Sequence, residues 1–255
     1  MEVRILGAHQ TETGEARPTS LLIDGLLAID AGSLCSGLEL PDQVRLKAVL
    51  VTHHHYDHVK DLPMIGLNLA YRGCLEVYGT GVLFETLSTH LLDGQLYPNL
   101  LEWPPGRPSL RSHRIEEYRP FDAAGYSVLA VPVPHSVPAV GFQVTSPGGR
   151  RLFFTGDTGG GLSPCWEHVA PDLLITEMTF VGEMQDRARQ KGHLSPPQLA
   201  AELAGFRQAK GYLPRVVLVH LDQAREAEVA AEVAGIAREL EASITLGREG
   251  MTVNV

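Results

Sequence analysis

The sequence predicts an α/β fold in which two β-sheets pack face to face and helices cover their outer faces. Three observations carry this. Short apolar runs bounded by Gly, Pro, Asn or Asp recur along the chain; strands dominate the start of each half, with helices after them; and 44% hydrophobic residues among 255 supply a sizeable core without disulfide staples.

In the first half, residues 3–6, 20–23, 26–30 and 47–51 read as buried strands. Residues 97–120 hold five of the 17 prolines with little periodicity, and read as an irregular surface excursion placed to act as a lid. The halves meet near residues 120–130. In the second half the strand runs are 127–133, 141–145, 151–155, 173–176 and 216–219. Two helices follow. Ser195 is placed to cap the first, with Pro196 in its first turn and Leu199, Leu203 and Phe206 on one face. The second, about 223–240, is rich in Ala and Glu and carries the stripe Val229, Val233, Ile236 and Leu240.

Charge and cysteine usage narrow the function classes. With 21 Lys and Arg against 30 Asp and Glu, the formal charge of −9 argues against a broad electrostatic grip on nucleic acid, although a local basic patch can still guide a phosphate. Cys35, Cys74 and Cys165 form no C-x-x-C and read as reduced packing residues. The chain opens without a basic cluster and apolar run, and no apolar stretch reaches the ~18 residues of a membrane span. A cytoplasmic protein with no membrane partner is expected.

The most informative stretch is Leu50-Val51-Thr52-His53-His54-His55-Tyr56-Asp57-His58. If the apolar strand continues as extended backbone, His53 and His55 project to one side and can grip one cation, while Asp57 and His58 follow at the turn, in reach of a second. His54 points the other way. Imidazoles with carboxylates suit a borderline cation such as zinc better than a hard-oxygen ion. A tag, a solvated loop or neutral core histidines would also produce a histidine run, but this one is internal and follows a buried-looking strand. His135, Asp157 and His220 each lie at the carboxyl end of a predicted strand, where α/β folds commonly assemble sites. Together these residues suffice for two ions.

These motifs resemble the metallo-β-lactamase fold superfamily of metal-dependent hydrolases. The H-x-H-x-D-H signature appears as His53, His55, Asp57 and His58, and His135, Asp157 and His220 match the later ligands in order and spacing. The resemblance implies one domain over residues 1–255, a four-layer αββα sandwich of two mixed sheets. It also implies a site with two divalent ions, zinc or else manganese or iron. His53, His55 and His135 would hold the first, Asp57, His58 and His220 the second, and Asp157 would bridge them. The segment Pro134–Phe142 is similar to that around the third metal histidine of ribonuclease Z enzymes. Thr176-Glu177-Met178-Thr179-Phe180 resembles their H-E-A-T motif with Thr in place of the leading His, and Gly192-His193-Leu194-Ser195 resembles their G-H-S-T. By that resemblance Glu177 orients His193, which assists at the phosphate or leaving group.

Ribonuclease Z enzymes often insert a long arm for the tRNA elbow between the segments matching His135 and Asp157; here only 21 residues separate the two. The expected activity is therefore hydrolysis of a small or cyclic phosphodiester, or of RNA. Water activated by two ions would attack, with Asp57, His193 and Glu177 as the catalytic residues. Homodimerisation is expected from related enzymes. The competing readings are a lactone or thioester hydrolase on the same site, and a non-catalytic, metal-stabilised scaffold that binds nucleic acid.

Overall fold

A computed structural model describes residues 1–255. Two seven-stranded mixed sheets stack face to face. The first contains β1 (Glu2–Gly7), β2 (Ser20–Ile23), β3 (Leu27–Ile29), β4 (Ala48–Leu50), β5 (Leu75–Gly79) and β6 (Leu110–Arg114). The second contains β7 (Phe121–Ala123), β8 (Tyr126–Val133), β9 (Ala139–Thr145), β10 (Arg151–Phe154), β11 (Leu173–Glu177), β12 (Arg215–Val219) and β13 (Ile244–Leu246). The last strand, β14 (Thr252–Asn254), returns to the first sheet and pairs antiparallel with β1. The chain changes sheets between Arg114 and Phe121.

The apolar residues divide into three layers, as four stacked layers of secondary structure require. Leu21 and Ile23 on β2, Leu50 on β4, Leu152 and Phe154 on β10, and Val217 and Val219 on β12 meet between the sheets. Their alternates point outward: Leu22 and Val49 face helices over the first sheet, and Phe153, Val216 and Leu218 face helices over the second. Strands buried on both faces read as unbroken apolar runs, which is why the sequence disclosed them.

Elements with one wet face were missed. Residues 97–120 are not wholly irregular, because β6 pairs parallel with β5 there. Only Leu110 of β6 is buried, so this edge strand gives little apolar signal. The helices Leu40–Arg45, Leu62–Leu69 and Gly81–His90 on the first sheet were also missed, being too short for a clear period. The two late helices span Pro196–Lys210 and Glu226–Glu239. Ser195 does precede the first, but its hydroxyl donates to Gln198 Oε1 at 2.7 Å rather than capping a backbone N–H. No helix is long and apolar enough to cross a membrane.

Candidate metal centre

β4 stops at Leu50, so His53 and His55 stand on a loop past the strand end, and Asp57 and His58 on the short helix Tyr56–Val59. His135 follows β8, Asp157 follows β10 and His220 follows β12 directly. These ends fall on the same rim of the sandwich. Gly156 permits the approach of the Asp157 loop: it has φ +63°, and a Cβ there would lie 2.9 Å from Thr52 Cβ.

The side chains form two adjoining clusters that share Asp157. His53, His55, His135 and Asp157 present ligand atoms within 4.8 Å of one another, and so do Asp57, His58, Asp157 and His220. In the first, His55 Nδ1 is 3.0 Å from His53 Nε2 and 3.2 Å from His135 Nε2. In the second, His58 Nε2 is 3.2 Å from Asp157 Oδ1 and His220 Nε2 is 3.2 Å from Asp57 Oδ2. Asp157 Oδ2 lies 3.4 Å from His220 Nε2 and 3.7 Å from His53 Nε2, so one carboxylate faces both clusters. His54 stands apart from both.

The ring protons are committed to partners on the side away from the cluster centres. Thr52 Oγ1 donates to Asp30 and therefore accepts from His53 Nδ1 at 3.0 Å. Thr179 Oγ1 donates to Glu177 Oε2 and accepts from His220 Nδ1 at 2.8 Å. His135 Nδ1 donates to Gly192 O, and His58 Nδ1 to Asp30 Oδ2. All four imidazoles thus turn an Nε2 lone pair inward. A single proton on His55 Nδ1 could serve only one of its two nitrogen neighbours, and the fully buried His58 Nε2 has no hydrogen-bond partner. Converging lone pairs with carboxylates between them fit a divalent cation in each cluster.

The charges agree. Burial lowers the pKa values of His53, His55 and His135, keeping them neutral. Burial would also lower that of His58, but Asp157 and Asp30 hold it well above the usual range. Burial would raise the Asp57 carboxyl, yet His220 and His58 keep it well below the ordinary carboxylate range.

Behind the second cluster, Glu177 ends β11 and is fully buried. It accepts from Thr158 N, Thr179 Oγ1, Leu194 N and His193 Nδ1, the last at 2.7 Å. The His193 ring stands 5.0 Å from that of His135 and 5.5 Å from that of His220. Burial opposes its protonation, but Glu177 holds its pKa above the usual imidazole range. Sequence reasoning did not assign Asp30, Thr52 or Thr179 a role. Asp30 ends a strand run and the threonines lie inside recognised motifs, so position was the only signal. Asp30 and His220 have φ of +59° and +58°, a backbone cost of about 1–3 kcal/mol each that recurs at functional sites.

Residues 20–221 match the family described as "Beta-lactamase superfamily domain". Ribonuclease BN of Cronobacter sakazakii is 22% identical over an alignment covering 83% of this chain and 82% of that protein. Zinc phosphodiesterase ELAC protein 1 of Mus musculus is 35% identical over 42% of this chain and 32% of its own. Among solved structures, unliganded yeast PDE1 superposes with a TM-score of 0.84 at 15% identity, covering 100% of this chain and 99% of that one.

Proposed function

This chain belongs to the beta-lactamase superfamily and has its metallo-β-lactamase fold, and on that premise we propose that it is a metal-dependent phosphodiesterase. In this reading His53, His55 and His135 hold one divalent cation, Asp57, His58 and His220 a second, and Asp157 serves both. A cation pair bound there, zinc by preference, would supply acidification of an attacking water and neutralisation of charge developing at phosphorus.

The chain's own groups supply the rest. Asp57 has a side chain 30% exposed and remains ionised, so it can orient the water or accept its proton. His193 carries a proton favoured by Glu177 and delivers it to the departing alkoxide, or donates a hydrogen bond to a phosphate oxygen. The observation that carries the reading is this Glu177–His193 pair beside two ligand clusters, because a purely structural site needs no extra acid.

The relatives, a ribonuclease and a zinc phosphodiesterase, favour a phosphodiester over a lactone or thioester. β9 and β10 join by a tight turn, with Ser146 N bonded to Arg150 O at 2.9 Å, so no arm extends between them. We accordingly favour a small or cyclic phosphodiester, or RNA held without that arm, and a homodimer as the assembly. Elemental analysis should be paired with parallel assays on bis(p-nitrophenyl) phosphate, a cyclic nucleotide, short RNA, a lactone and a thioester. Metal-dependent cleavage of a phosphodiester is expected. Faster turnover of the lactone or thioester would overturn the reading, as would RNA binding with no cleavage of any substrate.

A further inference from the structure

Beside the first cluster lies a cleft of about 500 Å³ that the proposed chemistry does not use. It shares His135 with that cluster and is otherwise walled by Pro134, Gly192, Gly159, Gly160, Arg189 and Gln198. Gly192, at φ +71°, ends the helix Gln185–Lys191 and turns the chain into His193, so the cleft adjoins the proposed acid.

Hydrogen-bond accounting gives the cleft a polarity. Two of its wall carbonyls are engaged: Pro134 O accepts from Gly159 N at 2.6 Å, and Gly192 O from His135 Nδ1 at 2.8 Å. Three donors remain available. Gln198 is only 8% exposed, and its Oε1 is fixed by the Ser195 hydroxyl, which leaves Nε2 without an acceptor beside Gly160. Gly160 N–H has no partner in the fold, whereas the neighbouring Gly161 N–H and Leu162 N–H both bond Glu202. Those two hydrogen bonds also occupy both oxygens of the nearest carboxylate. Arg189, 60% exposed, has one ion-pair partner, Asp186 at 3.3 Å, itself almost fully in solvent. Surface pairs of this kind contribute little, so the guanidinium is available.

A buried amide donor, a free backbone N–H and a guanidinium around one cavity fit a tetrahedral anion. We propose that this cleft binds a second phosphate group of the substrate, one that is not cleaved, and that Arg189, Gln198 and Gly160 thereby select phosphodiesters bearing an additional phosphate. The proposal rests on the phosphodiesterase reading for its use in catalysis, but not for binding.

Two measurements separate these. In ¹⁵N-labelled protein without added metal, titration with uridine 5′-monophosphate should shift the Gly160 backbone amide and the Gln198 side-chain amide, and Arg189→Gln should weaken that binding about tenfold. In metal-loaded protein, uridylyl-uridine with a terminal phosphate at one end should be cleaved with about tenfold higher kcat/KM than the unphosphorylated dinucleotide. Arg189→Gln and Gln198→Leu should each bring that ratio toward one. Silent Gly160 and Gln198 signals, or equal affinity of wild type and Arg189→Gln, would overturn the cleft assignment. Clear binding with no cleavage of the dinucleotides, bis(p-nitrophenyl) phosphate or a cyclic nucleotide would leave the cleft standing and sink the phosphodiesterase reading instead.

Discussion

Thr179 stands between Glu177 and His220, its hydroxyl 2.6 Å from Glu177 Oε2 and 2.8 Å from His220 Nδ1. Thr52 occupies the same relation to Asp30 and His53, at 2.9 and 3.0 Å. Each hydroxyl donates its only proton to a buried carboxylate, so it can only accept from the imidazole. Two threonines thus set which ring nitrogen faces the candidate metal centre.

Thr179→Val keeps the shape and removes the acceptor. Metal affinity of the second cluster should fall about 10–100-fold in a chelator competition, with Thr179→Ser retaining most of it. Equal affinities for Val and wild type would show that the hydroxyl does not set the tautomer.

His193→Ala removes the proposed acid but none of the seven proposed ligands. Turnover on the true substrate should fall by about 10²–10⁴ while elemental analysis finds the metal content unchanged. A parallel loss of both would reassign His193 as a ligand.

Chelation should lower stability, because the ligands converge only in the folded chain. At free metal about a thousand times its Kd, each bound ion contributes about 4 kcal/mol, so removing one should lower Tm by roughly 10 °C. We propose that residues 1–255 form one domain. β14 closes against β1, tying the two chain ends together, so melting should show one transition. Two separate transitions would divide the chain.

A pH effect should arise at His9, whose Nδ1 lies 2.7 Å from Glu249 Oε1 and whose Nε2 faces Glu226. Glu249 raises the His9 pKa above 6.5, and that stabilisation is full below 6.5 and lost as pH rises through the raised value. Burial would raise Glu249, but His9 brings it from 4.5 to about 2, a stabilisation full above 4.5 and lost as pH falls toward 2. The pair therefore contributes most between about pH 4.5 and 6.5. Urea midpoints across pH should show Glu249→Gln losing most stability in that window; a uniform offset would deny the coupling.

Much of this was legible without coordinates because it rests on local pattern. Strands buried on both faces must be continuously apolar, so their runs in the second half stood out, whereas β6, β13 and β14 expose one side and blend with loops. His53, His55, Asp57 and His58 declare themselves by density. His135, Asp157 and His220 became readable as strand-end residues and through their resemblance to a known signature.

The amino-acid order by itself determined the layered α/β plan and the inventory of imidazoles and carboxylates, since periodicity and residue chemistry are properties of neighbours along the chain. Tertiary structure alone decided which nitrogen of each histidine faces inward, that Asp30 and Glu177 anchor two threonine relays, and that the Arg189 cleft keeps its donors free. Those facts depend on partners up to 57 residues away, as for His135 and Gly192, and a hydrogen bond is chosen by distance in space rather than position in sequence.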